Sequence, residues 1–130
     1  MIIWIASYPK SGNTWVRSFL TAYYFCNNGI FDINKLNLIE DYPNKQFFKE
    51  KVKQGEIHKH WEKSQKDIRE QKKVKFLKTH NSLITAFGND FTKPEYSLGV
   101  IYVIRDPRNV ITSVKNHNDL DTYDQALKFM

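Results

Sequence analysis

The chain of 130 residues has a single cysteine, Cys26, and no long apolar run. One cysteine excludes an intrachain disulfide, so a reducing compartment is the default expectation. The apolar stretch at residues 2–6 is too short for a membrane span or for the core of a signal peptide, and no basic segment precedes it. We therefore expect a cytoplasmic protein with no membrane span.

The sequence also lacks an arrangement of side chains that would bind a metal. His58 and His60 are two residues apart on a predicted helix, so their side chains point away from each other. No nearby cysteine or third histidine completes a zinc site. We expect no metal cofactor.

The charge of the chain is basic but mixed. The formal net charge is +6, and six Lys and Arg residues crowd into Lys63–Lys75. Asp67 and Glu70 lie in the same stretch, and mixed charges on a helix are typical of a solvated face. We therefore predict no nucleic-acid partner. A basic balance also suits a small polyanionic cofactor, although net charge alone does not choose between the two.

Composition and length indicate one globular domain. The chain is 41% hydrophobic and 26% charged, without the polar bias of a disordered protein. Its length suits a single domain, which we place at residues 1–130. Residues 2–6 form a continuous apolar run, which is typical of a parallel strand buried on both faces. Further strands are predicted at 74–80 and at 99–104, the latter as the clearest buried strand.

Helices are predicted between and after these strands. The first begins near Asn13, with an apolar stripe that we assign to the core: Trp15, Val16, Phe19, Leu20, Tyr23 and Tyr24. Two more are predicted at 44–53 and 57–72. Another begins at Pro107 with Asp106 as its N-cap, and a last one begins at Thr122. The alternation predicts an α/β fold, a P-loop-like three-layer α/β/α arrangement with a central parallel sheet.

The turn between the first strand and the first helix is suited to binding an anion. The first amides of a helix have no intrahelical partner, and the helix dipole places partial positive charge there. Gly12 lets a ligand approach the backbone, Ser11 and Thr14 offer hydroxyls, and Lys10 adds a full charge. The turn is not the nucleotide-hydrolase P-loop pattern, because Lys10 precedes Gly12.

The other two strands end in polar residues at the same predicted edge. Ligands of open α/β sheets lie beyond the carboxyl ends of the strands. Lys78 and His80 end the second strand, and Arg105 follows the third. A His at a strand end is usually structural, and Arg105 could instead pair with Asp106 or another surface acid, so both alternatives stay open on the residues alone.

Two segments together resemble a known family. Tyr8 to Trp15 read Tyr-Pro-Lys-Ser-Gly-Asn-Thr-Trp, which closely resembles the 5′-phosphosulfate signature of sulfotransferases that use 3′-phosphoadenosine 5′-phosphosulfate (PAPS). Tyr102 to Ser113 follow the 3′-phosphate signature of the same family in register. The Lys-Thr-His ending at His80 is also a pattern of these enzymes. The resemblance is specific over 5–20, 75–80 and 102–117.

The resemblance implies a role for each matching residue. It implies PAPS as the donor, His80 as the catalytic base, Lys10 neutralising the leaving phosphate and Lys78 stabilising charge at the sulfuryl group. The donor is expected to bind to the loop with its 5′ end, and Trp15 is expected to stack on its adenine. The residues implied in this binding are Lys10, Ser11, Gly12, Asn13, Thr14 and Trp15. Arg105 and Ser113 are expected to hold the 3′-phosphate. The acceptor is expected to be a hydroxyl or amine of a small molecule, lipid or sugar.

The resemblance covers only the N-terminal portion of such a domain. No segment matches the Arg-Lys-Gly loop that closes over the 3′-phosphate in the family, so the sequence predicts a domain truncated at its C-terminus. A second chain or a homo-oligomer could complete the site. The alternative function is a non-catalytic module that binds PAPS, its product PAP or phosphate. A kinase is a weaker alternative, because the strand at 100–104 ends in Arg105 instead of a Walker B acid.

Overall fold

A computed structural model describes residues 1–48 and 52–130. The strands are β1 (Ile2–Ser7), β2 (Glu40–Asp41), β3 (Lys75–Thr79), β4 (Thr85–Ala86), β5 (Asn89–Asp90) and β6 (Ser97–Val103). The α-helices are α1 (Asn13–Phe25), α2 (Trp61–Glu70), α3 (Pro107–His117) and α4 (Tyr123–Phe129). Short 3₁₀ segments lie at Ile33–Leu38, Lys45–Phe47 and Gln54–His60.

Four of the strands form one parallel sheet in the order β2-β3-β1-β6. Ala6 at the end of β1 lies opposite Thr79 of β3 and Tyr102 of β6. The carboxyl ends of these three strands therefore meet at one edge. β4 and β5 pair separately as a short antiparallel hairpin.

Helices cover both faces of this sheet, which confirms the predicted α/β class. The ring of Tyr24 on α1 lies 5.1 Å from the ring of Phe76, which faces the same side as Ile3. The opposite face carries the main core, with α2 packed against β1. The buried members of that core are Ile2, Trp4, Tyr42, Trp61, Ile68, Leu77 and Phe91.

The predicted apolar stripe of α1 is wrong about which face is buried. The buried residues of α1 are Asn13, Arg17 and Thr21, whereas Trp15 and Phe19 are 73% and 70% exposed. Polar anchoring explains the orientation. Asn13 donates to the Ile5 carbonyl and Arg17 donates to the Ile39 carbonyl, at 3.0 and 2.6 Å, so the polar stripe faces inward.

The prediction of a buried third strand is also wrong, although the strand itself is confirmed. β6 lies at the edge of the sheet, and Val100 and Tyr102 are 62% and 65% exposed. Within the described ranges, α2 reaches across β1 but does not cover β6. The accessible surface of the chain is 9043 Å². A compact protein of 15.5 kDa exposes about 7,200 Å², so much apolar surface is left open.

Two helix predictions in the middle of the chain need correction. The helix expected over 44–53 is a single 3₁₀ turn, because the Asn44 side chain accepts from the Gln46 amide and the backbone is extended again at Phe48. Residues 49–51 of that prediction lie outside the described residues. The helix expected over 57–72 is α-helical only at Trp61–Glu70. The helix starts at Asn13 and Pro107 are confirmed, as is Thr122 as a capping residue.

A buried glutamine, Gln65, forms hydrogen bonds to several parts of the main core. Gln65 is fully buried, donates to the Phe91 carbonyl at 2.6 Å and to the Tyr42 hydroxyl at 3.3 Å, and accepts from the Thr92 hydroxyl at 2.5 Å. The Thr92 hydroxyl also contacts Ser97, at 2.9 Å. One side chain therefore links α2 to the segment that precedes β6 and to the residue that follows β2.

We expect Gln65→Leu to lower the free energy of unfolding by about 1–3 kcal/mol, because it leaves the Phe91 carbonyl buried without a donor. Urea unfolding followed by circular dichroism measures the change. Gln71→Leu, at an exposed position just after α2, is the matched control and should change stability little. Equal effects of the two substitutions would contradict a special role for the buried amide.

Candidate active site

The loop between β1 and α1 has the backbone shape of an anion site. Lys10 and Gly12 have left-handed φ angles of 65° and 103°, and the Ser11 amide donates to the Tyr8 carbonyl at 3.3 Å. α1 begins with no side-chain cap. Among the described residues, the amides of Asn13 and Thr14 find no backbone acceptor. These two N–H groups are therefore available to an anion at the positive end of the helix.

The side chain of Asn13 fixes the helix to the end of β1. Its amide nitrogen donates to the Ile5 carbonyl at 3.0 Å and to the Ser7 hydroxyl at 3.1 Å. The side chain is thus turned into the protein, and it is the backbone amide of Asn13 that faces the loop. This geometry holds the first turn of α1 against the strand.

His80 follows β3 and contacts the same serine. Its Nδ1 lies 2.7 Å from the Ser7 carbonyl and 3.3 Å from the Ser7 hydroxyl. A carbonyl only accepts, so the hydrogen-bond network assigns the proton to Nδ1. In the neutral ring Nε2 then carries the lone pair. The ring is exposed to solvent, so an acceptor molecule can reach it.

Lys78 lies two residues before His80 and on the same side of β3. Its ammonium is 3.2 Å from each carboxylate oxygen of Asp41, and its side chain is only 18% exposed. The register explains the pair, because Asp41 of β2 lies opposite Lys78 of β3. This ion pair could not be predicted from the sequence, since the two residues are far apart in the chain.

Arg105 approaches the loop from the third strand. One of its guanidinium nitrogens donates to the Lys10 carbonyl at 3.0 Å. Asp106 does not pair with it, because the Asp106 carboxylate caps α3 and contacts Arg108 at 2.6 Å. Those bonds lower the pKa of Asp106 and raise the pKa of Arg108. The alternative of an Arg105–Asp106 pair is therefore wrong.

These groups line one cavity of about 600 Å³, a volume within the range typical of small-molecule sites. It brings together almost every residue singled out from the sequence, namely Lys10, Gly12, Asn13, Thr14, Trp15, Lys78, His80, Arg105 and Ser113. Ser11 is the exception. It is buried at 7% exposure and does not line the cavity.

The cavity also has walls that the sequence did not predict. His117 and Asn118 line it from the end of α3, and Phe129 and Met130 line it from the end of α4. His117 lies four residues after Ser113, so helical spacing from the second motif could have indicated it. No sequence pattern indicated the α4 contact, in which the Tyr8 hydroxyl donates to the Met130 carbonyl at 2.8 Å.

The arrangement has the chemistry of a group-transfer site for an anionic donor. Two free amides, Lys10, Lys78 and Arg105 supply positive charge around the cavity, and His80, whose Nδ1 contacts the Ser7 carbonyl, lies beside them. Fixed positive groups of this kind stabilise charge that develops on phosphate or sulfate oxygens. A neutral imidazole accepts a proton near neutral pH.

Comparisons with known proteins agree with the two motifs. A search of curated proteins and a search of solved structures each returned no match. No helix among the described residues is long and apolar enough to cross a membrane. A family model described as "Sulfotransferase domain" matches residues 2–128. Because that match spans nearly the whole chain and includes the loop, His80 and Arg105, the chain belongs to the sulfotransferase family, whose members transfer sulfuryl groups.

Proposed function

We propose that this chain transfers a sulfuryl group from PAPS to a hydroxyl or amine of a small molecule, lipid or sugar. The observation that carries the proposal is the meeting of the free amides of Asn13 and Thr14, three cationic side chains and the free Nε2 side of His80 in one cavity. Sulfuryl transfer needs this combination, because negative charge spreads over sulfuryl and phosphate oxygens while the acceptor loses a proton.

The residues present fit a phosphosulfate donor. When bound, PAPS supplies an activated sulfuryl group and leaves as PAP. The amides of Asn13 and Thr14 and the Lys10 ammonium are the groups we assign to its 5′ end. The exposed indole of Trp15 offers a face on which adenine can stack. Arg105 and Ser113, which line the same cavity, are assigned to the 3′-phosphate.

His80 is the proposed base. Its Nδ1–H is engaged by the Ser7 carbonyl, which leaves Nε2 to take the proton of the acceptor. A hydroxyl is a poor nucleophile until that proton leaves. Lys10 is proposed to neutralise the departing phosphate, and Lys78 to stabilise charge at the sulfuryl group. The single cysteine fits a reducing, cytoplasmic setting, which belongs to the proposal as well.

A non-catalytic module that only binds PAPS or PAP is the competing function. It would use the same loop, so binding alone does not separate the two. Turnover does, and the tests below measure binding and turnover on the same variants. We also propose that residues 1–130 act as one domain.

We expect His80→Ala to lower sulfuryl transfer by about 10²–10⁴-fold while leaving PAP affinity within a factor of about two, because the imidazole is assigned to proton transfer and not to the nucleotide. Transfer is measured as PAP release from PAPS with a panel of phenols, aliphatic alcohols, sugars and amines. His58→Ala, a histidine stacked on Phe87 outside the cavity, is the control. Full activity of His80→Ala would remove the base assignment. PAP binding without turnover of the unmodified chain would favour the binding module.

We expect Lys10→Ala to weaken PAP binding by roughly tenfold or more, because it removes a charge-assisted contact to the 5′-phosphate. Isothermal calorimetry with PAP measures the affinity. Lys66→Ala, on the exposed face of α2, removes the same charge elsewhere and should leave the affinity nearly unchanged. If both variants bind alike, net charge and not the loop attracts the nucleotide. If the unmodified chain does not bind millimolar PAP, the nucleotide proposal fails.

We expect Ser113→Ala to weaken PAP about tenfold and to leave 5′-AMP unaffected, because only PAP has the 3′-phosphate that this hydroxyl is assigned to bind. Competition calorimetry with the two nucleotides gives the ratio of affinities. Ser18→Ala is the control, since the Ser18 hydroxyl bonds to the Thr14 carbonyl within α1 and does not line the cavity. An equal loss for PAP and 5′-AMP would contradict the assignment.

A further inference from the structure

Asp41 lies between two cations that belong to different parts of the site. Its Oδ1 is 3.2 Å from the Lys78 ammonium and 3.5 Å from a guanidinium nitrogen of Arg17. Lys78 comes from β3, two residues before His80, and Arg17 comes from α1, one turn after Asn13. The carboxylate therefore joins the strand that ends at the proposed base to the helix that begins at the phosphate loop.

The Asp41 carboxylate contacts a buried and anchored arginine, Arg17. Arg17 is 8% exposed and donates to the carbonyls of Leu36 and Ile39 at 3.1 and 2.6 Å, in addition to its contact with Asp41. Burial lowers the pKa of Arg17, and the charge of Asp41 opposes that shift. The guanidinium is thus anchored by two carbonyls and lies beside the carboxylate of Asp41, whose side chain is 55% exposed.

Lys78 is the member of this group that lines the cavity. It contacts both Asp41 oxygens at 3.2 Å, and its flexible stem lines the cavity, whereas Asp41 itself does not. An anion in the cavity would compete with Asp41 for the same ammonium. The carboxylate thus determines the position of the Lys78 ammonium before an anion binds and the strength of the interaction that an anion must replace.

We infer that Asp41 is a positioning residue for the sulfuryl-transfer step, holding the Lys78 ammonium at the cavity wall until a sulfuryl group competes for it. This inference rests on the proposed function of the site. It assigns to Asp41 a role that the two sequence motifs do not include. It also predicts an unusual kinetic pattern, because Asp41 is an anion beside an anion-binding cavity.

Removing this carboxylate should affect catalysis and binding in opposite directions. Asp41→Asn takes away a negative charge, so the affinity for an anionic nucleotide should stay the same or increase. The Lys78 ammonium loses the negative charge that it pairs with, so kcat should fall, by about tenfold. The carboxamide oxygen can still accept from Arg17, so the variant changes the charge and not the anchor.

Kinetics on a double-mutant cycle test the inference. Asp41→Asn, Lys78→Met and the double variant are compared for kcat, KM for PAPS and calorimetric PAP affinity. We expect the loss of kcat in Asp41→Asn to disappear when Lys78 is already Met, because Asp41 acts through that ammonium. Glu40→Gln is the control, since Glu40 pairs with Lys75 at 2.8 Å and neither residue lines the cavity. An undiminished loss in the Lys78→Met background, or weaker PAP binding in Asp41→Asn, would overturn the inference.

A second measurement keeps this result separate from the proposed function. The ¹H–¹⁵N signal of the Lys78 ammonium, assigned by its loss in Lys78→Met, reports the ion pair without any turnover. It should disappear or shift in Asp41→Asn and remain unchanged in Glu40→Gln. An unchanged signal in Asp41→Asn overturns the inference even in an active enzyme. Absent turnover or PAP binding in the unmodified chain counts instead against the proposed function. Asp41→Glu, expected to lose less of kcat, replaces Asp41→Asn if that variant does not fold.

Discussion

Ser7, the last residue of β1, is the point on which the geometry of the cavity depends. Its carbonyl accepts from His80 and its hydroxyl accepts from Asn13, so one buried residue is bonded both to the ring that follows β3 and to the first turn of α1. The bond to His80 decides which ring nitrogen carries the proton. The bond to Asn13 decides which way the helix presents its free amides. The tautomer of His80 and the orientation of the first turn of α1 thus both depend on the same strand end.

The positive charge of the cavity depends on which of its cationic side chains are paired with a carboxylate. Lys10 lies in the loop and Arg105 follows β6, and the Arg105 guanidinium donates to the Lys10 carbonyl. Lys78 reaches the cavity from the next strand and is compensated by Asp41 outside it. Asp106 is occupied by Arg108 and the start of α3, so it does not cancel Arg105. Arg105 therefore keeps its charge for an anion in the cavity, whereas Lys78 is already paired with Asp41.

The sequence could predict the parts of this site that are local. A glycine turn before a helix, a proline after an N-cap and polar strand ends are short-range patterns, and they located Gly12, Pro107 and His80 correctly. The motifs predicted the family as well. The expected parallel pairing also predicted which residues share the cavity, because the carboxyl ends of parallel strands meet at one edge.

The features that depend on contacts distant in sequence could not be predicted. The Lys78–Asp41 pair follows from the register of a two-residue strand, β2, which no periodicity marks. The face of α1 that is buried was predicted wrongly, because the hydrogen bonds of Arg17 to distant carbonyls outweigh the apolar stripe that includes Trp15. The exposure of β6 was missed for a related reason. A continuous apolar run indicates a strand but does not give its position in the sheet.

The pairing of β1 with two distant strands has a consequence for how the site forms. Ile2 pairs with Lys75, and Ile3 pairs with Gly99, so each of these contacts requires a long loop to close. During synthesis, the loop at Lys10 leaves the ribosome long before Arg105. The complete cavity, which includes Arg105, therefore forms only when both pairings are made. A nucleotide that binds there would act as a ligand of the completed sheet alone and would stabilise it against every less folded state.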